Sequence, residues 1–175
     1  MRAFLAIYPD ESARGELAEV APDDADDVRV TDMADWHVTL RFLGELDEGS
    51  MAKVSVVVHE VLGSVAPCTV RLGPTTALGT GARVLFVPAT GAERAAKAVD
   101  DGLGDLVEPR DGPFGGHLTL ARARGRGRLP APLSGQPVHV SFVASEVALV
   151  VSRLEPDRAV HQVLRRFTLG APVSA

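Results

Sequence analysis

The chain has 175 residues, 46% hydrophobic and 23% charged, which suits one globular domain or two small lobes with a real core. A net charge of −5 argues against a general nucleic-acid coat protein, and no apolar run reaches the roughly 20 residues that span a bilayer. A single cysteine, Cys68, rules out an internal disulfide or a multi-cysteine metal site; it reads as a small buried strand residue.

In chain order, "MRAFLAIYPDE" runs directly into an inner strand that stops at Pro9, with no cleavable leader. The expected location is therefore cytoplasmic, with no membrane attachment. "DESARGELAEVA" opens on an Asp or Ser cap and spaces Ala, Leu and Val as a helix does. "DWHVTLRFLGEL" is a strand ended by Gly44, and "DEGSMAKVSVVVHEVLGSVA" a helix with Met51, Val54, Val58, Val61 and Leu62 near one face. "CTVRLGPTTAL" and "ARVLFVPA" read as paired strands around "GTG", and "TGAERAAKAVDDGLGDL" as a helix. "HLTLARA" is a further strand, residues 125 to 137 form a Gly-, Pro- and Arg-rich loop, and "PVHVSFVA", "EVALVVSRL" and "VHQVLRRFTLG" are β-rich. The expected fold is α+β, one compact bilobal domain over 1–175, with a motif strand per lobe at 36–42 and 116–122.

Those two strands pose the chemical question. His37 and Thr39 recur as His117 and Thr119, each pair followed by Leu and then, at once or one residue on, by Arg. Alternation turns His37, Thr39 and Arg41 to one face and Val38, Leu40 and Phe42 to the other, so the polar set faces a cleft. Two imidazoles across a cleft suit acid–base catalysis, because one can accept a proton while the other donates one. Threonine hydroxyls can hydrogen-bond nonbridging phosphate oxygens without adding charge. The set suits in-line displacement at phosphorus, and no carboxylate cluster stands nearby to hold a divalent metal. A His followed two residues later by Ser or Thr is a weak signal: His139 and Ser141 match it too. The shared H-x-T-L form, placement in both halves and adjacent Arg favour the other two pairs.

Charge is uneven along the chain. "PDDADD" (22 to 27) concentrates acid, whereas "ARARGRGR" (121 to 128) holds four Arg and no acid, a basic stripe able to hold a phosphate backbone. Arg122, followed by Arg41 and Arg124, are the candidates to neutralise phosphate oxygens, with surface ion pairs as the alternative. Phe4 and Phe42 are read as core residues, with base stacking as the alternative. Trp36 is placed on the core face, with the cleft rim as the alternative, and His59 and His139 are read as structural. His161 is read as structural, with an approach to the cleft through the last strands as the alternative.

"RAFLAIYP", "WHVTLRFLGEL", "FGGHLTLARAR" and "EVALVVSRLEPDRAVHQVLRRFTL" together resemble the 2H phosphoesterases, and more narrowly the RNA 2',3'-cyclic phosphodiesterases, also called 2'-5' RNA ligases. The resemblance runs almost end to end. It departs at Gly115 and Gly116, where the family usually has a Pro and often a basic residue, and near His161, where an aromatic is frequent. It implies a bilobal fold of two antiparallel sheets around a cleft. It also implies metal-independent, cofactor-free opening of a terminal 2',3'-cyclic phosphate to a 2'-phosphate, with reversible 2'-5' RNA ligation as a possible accompanying activity. On that likeness His37 is the proton donor to the 3' oxygen, His117 the acceptor that activates water, and Thr39 and Thr119 hold the phosphate. The expected partner is an RNA end or a small cyclic nucleotide, and the expected state a monomer. The other readings are a 2H esterase for small cyclic nucleotides or 2'-5' oligonucleotides, and a catalytically idle RNA-binding module.

Overall fold

The apolar opening run becomes the middle of a sheet. β1 (Arg2–Ile7) buries every residue after Arg2, because both of its faces are covered. In this computed structural model, residues 1–155 and 159–170 are described, and they form ten strands and three α-helices. After β1 come α1 (Glu11–Ala18), β2 (Val28–Val30), β3 (Val38–Glu45), α2 (Glu48–Gly63), β4 (Cys68–Leu72), β5 (Ala77–Leu78) and β6 (Val84–Thr90). Then follow α3 (Glu93–Leu103), β7 (His117–Ala123), β8 (Val140–Ala144), β9 (Glu146–Leu154) and β10 (Ala159–Thr168). Residues 156–158 of the expected closing strands, and the last five residues of the expected domain, lie outside the described set. No helix among the described residues is long and apolar enough to cross a membrane.

The helices begin where local chemistry dictates. Asp10 accepts from the Ala13 N–H (2.8 Å) to start α1, and Asp47 from the Ser50 N–H (2.7 Å) to start α2, each satisfying an orphan first-turn donor. α2 buries Met51, Val54, Val58 and Leu62, each contributing roughly 1.5–3 kcal/mol of transfer free energy. α1 packs against β8, α2 against β10 and α3, and α3 against β3.

The strands pair antiparallel in the order β10-β9-β1-β3-β7-β6-β4-β8, with β2 also on β7 and β5 on β6. The sheet is thus two wings, and they join thinly: β3 meets β7 through the single register pair Val38↔Leu118. Each wing presents its motif strand at this seam.

β2 escapes the sequence reading. A three-residue strand after an acidic tract has too little alternation to be recognised. It pairs Val28 with Ala123, Arg29 with Arg122 and Val30 with Ala121.

Strict alternation along β3 also fails, and with it the expected place of Arg41. In the β1–β3 register Ala6 faces Thr39 while Leu5 faces Arg41, so Leu40 is the extra residue of a β-bulge. Two residues opposing one turn Leu40 and Arg41 to the same helix-covered side. Arg41 is 5% exposed; its guanidinium lies 3.3 Å from the Asp100 carboxylate of α3 and donates to the Glu108 carbonyl. Arg110 shares the same carboxylate at 2.9 and 3.1 Å and donates to the carbonyl of Leu40 itself. Phe42 takes the cleft face instead.

Candidate active site

A cavity of about 640 Å³ opens over the seam, lined by His37, Thr39, His117, Thr119 and Arg122 among others. The two histidines are anchored alike. His37 follows a 3-10 turn (Met33–Asp35) capped by the Asp32 side chain, and its Nδ1 lies 2.6 Å from the Asp35 carbonyl. His117 opens β7 with its Nδ1 3.0 Å from the Gly115 carbonyl. A carbonyl oxygen only accepts, so each Nδ1 carries the proton and each Nε2 is the nitrogen left to exchange protons.

Of the Gly115–Gly116 departure, Gly116 has a steric basis, whereas a Cβ on Gly115 would meet open space. A Cβ on Gly116 would stand 2.5 Å from the Ala89 carbonyl oxygen of β6, a contact that requires glycine. This close approach lets the Ala89 N–H reach the Gly116 carbonyl at 2.8 Å and fixes the entry to His117.

The environments of the two imidazoles differ. His37 stacks on Phe4 with centroids 5.0 Å apart, Tyr8 leans on it at 5.7 Å, and His161 meets it edge-on at 5.4 Å. Desolvation by these rings, with the positive charges of His161, His117 and Arg122, pulls His37 down to about 4, against the opposing hydrogen bond to Asp35. His161 is lowered as well, mainly by burial; the Asp35 carboxylate, 3.8 Å from its Nδ1, works in the other direction. His117 is exposed and touches Phe86 edge-on at 5.5 Å.

Arg122 projects into the cavity beside Arg29, its cross-strand partner on β2. Like charges placed directly opposite one another destabilise a sheet, so the pairing suits a site that receives an anion. Partial desolvation and the charge of Arg29 both lower the Arg122 guanidinium from its ordinary value.

Two expected phosphate ligands lie elsewhere. Arg41 is buried under the sheet on Asp100, for the reason given above. Arg124 forms an ion pair with Asp24 and donates to the Ala25 carbonyl at 3.1 Å, so this arginine is held on the acidic tract. His59 is exposed on α2, and His139 lies with Ser141 in a separate shallow depression of about 330 Å³. Trp36 is buried, as its place in the alternation predicts. Phe4 is buried yet lines the cavity through its stack on His37, and His161 lines it too. Sequence reasoning missed Arg29, whose strand was not recognised, and Asp35, whose backbone carbonyl rather than its carboxylate orients His37.

No protein-family profile matches the chain. It is 30% identical over 190 aligned positions to the RNA 2',3'-cyclic phosphodiesterase of Thermus thermophilus, covering 97% of this chain and 90% of that protein. The chain belongs to the RNA 2',3'-cyclic phosphodiesterase family. The solved structure of TT0787 of Thermus thermophilus superposes with a TM-score of 0.84 at 28% identity, covering 97% of this chain and 98% of that one. The fold is also that of E. coli LigT, solved in complex with 3'-AMP (TM-score 0.75, 22% identity, 96% and 97% covered). In this member of the RNA 2',3'-cyclic phosphodiesterase family the antiparallel strands form two wings that meet between β3 and β7. Among the described residues, no group of three or more His, Cys, Asp or Glu could hold a metal ion.

Proposed function

We propose that the chain opens the 2',3'-cyclic phosphate at an RNA end to a 2'-phosphate, using His37 and His117 as a paired acid and base. The activity follows from family membership, and the observation that carries the pairing is the shared Nδ1–carbonyl anchor, which leaves one Nε2 from each wing for the cavity. The Nε2 of His117 takes a proton from water as its oxygen bonds to phosphorus. The P–O3' bond breaks on the opposite side, and Nε2–H of His37 protonates the departing 3' oxygen. Thr39 and Thr119 donate to the nonbridging oxygens, with Arg122 neutralising their charge. An RNA 5'-hydroxyl in place of water gives its proton to His117 and bonds to phosphorus as P–O3' breaks, making a 2'-5' join, and by microscopic reversibility attack of the 3'-hydroxyl on that join re-forms the cyclic phosphate and releases the 5'-hydroxyl.

The donor assignment follows the family likeness, and the burial of His37 works against it, because an imidazole near 4 is neutral at neutral pH. The substrate reverses this. An anionic phosphate in contact with His37 opposes the desolvation and favours the imidazolium, so the acid is charged only in the loaded site. Phosphorus NMR of the product from a nucleoside 2',3'-cyclic phosphate tests the proposal. A 2'-phosphate is expected; a 3'-phosphate exchanges the acid and base roles or reverses the substrate, and no product removes the function.

A further inference from the structure

The face that carries His117 does not end at the catalytic cavity. In the β6–β7 register Pro88 stands opposite His117, and Thr90, two residues further along β6, keeps to the same side. Arg71 of β4 pairs with Thr90, and Ser141 of β8 pairs with Arg71, so β7, β6, β4 and β8 continue one surface. Leu72, Ala89 and Val140 turn the other way into the core. Thr90, Arg71, Ser141 and His139 are exposed and line the depression of about 330 Å³. At about 4.8 Å between strands and about 3.3 Å per residue along them, Arg71 lies roughly 12 Å from His117, backbone to backbone.

The depression has the chemistry of an anion site. Arg71 has no ion pair among the described residues, and no carboxylate lines the depression. By contrast Arg41, Arg110 and Arg124 each rest on a carboxylate. A chain of net charge −5 thus leaves this guanidinium unneutralised between two hydroxyls and beside an imidazole. A guanidinium fork and hydroxyl donors are the groups that hold phosphodiester oxygens.

Its position selects the phosphodiester. In-line displacement puts the attacking oxygen on the His117 side of phosphorus, and β6 borders β7 on the side away from β3. When the attacker is an RNA 5'-hydroxyl, its strand therefore leads out over β6 toward β4 and β8. We propose that Arg71, Thr90, Ser141 and His139 form a backbone subsite for the RNA strand that carries the 5'-hydroxyl, holding a phosphodiester near its 5' end. This inference rests on the proposed function. It makes the partner in the 2'-5' join an oligonucleotide rather than a nucleoside, without regard to base.

Three substrates test it: adenosine 2',3'-cyclic phosphate, the 2'-5'-linked dinucleotide of adenosine, and that dinucleotide extended past the join by two 3'-5'-linked adenylates. In cleavage of the last two, the 3'-hydroxyl beside the join gives its proton to His37 and attacks phosphorus. The P–O5' bond breaks, and His117 protonates the departing 5' oxygen. The wild type should cleave the extended substrate with a higher kcat/KM than the dinucleotide. Arg71→Ala should lower that kcat/KM by roughly 3- to 30-fold and flatten its log–log salt dependence by about 0.7. The dinucleotide and the cyclic nucleotide, which have no phosphodiester in the subsite, keep their wild-type rates, and Arg71→Lys recovers the salt slope. Equal losses on all three substrates, unchanged kinetics on the extended one, or a wild type that hydrolyses the cyclic phosphate without preferring the extended join overturns the subsite and leaves the proposed function standing. A wild type inactive on the cyclic nucleotide overturns both.

Discussion

The ring of His37 lies on that of Phe4, centroids 5.0 Å apart and planes 28° from parallel, so hydrocarbon seals one face of the imidazole. Hydrocarbon solvates a neutral ring better than a cation, which is the first reason His37 sits near 4. The unfolded chain titrates this residue near its ordinary 6.5. Between those values the unfolded state binds the extra proton, so His37 makes stability rise with pH through that window. The contribution is fully present above about 6.5 and lost toward 4, at most ~3 kcal/mol at 1.36 kcal/mol per unit. His161, lowered in the same direction, adds to it. Urea midpoints at acid and neutral pH should differ in the wild type and differ less in His37→Phe, which keeps a ring on Phe4 without the titration. An equal pH slope in both proteins refutes this.

Proton uptake on binding follows from the same environment. If an anionic ligand returns His37 to its charged form, binding between the lowered and the ordinary imidazole value takes a proton from solution. Calorimetry in buffers of different ionisation enthalpy counts that proton. The wild type should show uptake that His37→Phe lacks; identical counts mean that the anion does not contact this imidazole.

Replacing His37 or His117 with Ala should each lower turnover of a nucleoside 2',3'-cyclic phosphate by at least the roughly 10²–10⁴-fold of a general acid or base. Circular dichroism should show both variants folded. His139→Ala, in its separate depression, should retain activity. Near wild-type turnover in either of the first two variants ends the pairing.

Activity should survive excess EDTA, because the described residues offer no ligand cluster beside the motif pair. Loss with chelator, restored by a divalent ion, identifies a ligand set that the motifs do not include.

The two displaced arginines differ in worth. Asp100→Ala strands the buried Arg41 and should cost about 3 kcal/mol or more, as orphaned buried charges do. Arg124→Ala removes an exposed pair and should cost no more than about 1 kcal/mol. Denaturant titration compares them, and equal losses would contradict the burial argument.

Both His–Thr pairs, the strands carrying them and the helices between were legible because each rests on local pattern: period-2 alternation, Asp caps, apolar helix faces. The misplacement of Arg41 has a single cause. A bulge is a register event between two strands, and nothing within "HVTLRFLG" announces that Ala6 will pair with Thr39 while Leu5 pairs with Arg41. Arg124 was misread for a similar reason, since its partner Asp24 lies 100 residues away and only the unrecognised β2 brings them together. His161 enters the cavity through cross-strand register as well, opposite Ser152 on β9.

The thin seam at Val38 and Leu118 has a mechanical consequence. A ligand seated between His37 and His117 ties one wing to the other and acts as a strut across the weakest joint of the sheet. Occupancy therefore stiffens the whole molecule along with the pocket, and the heat needed to unfold it climbs with ligand concentration. A hydrolase arranged in this way grips hardest when loaded, and letting go of its product means relaxing a joint that the product itself has been bracing.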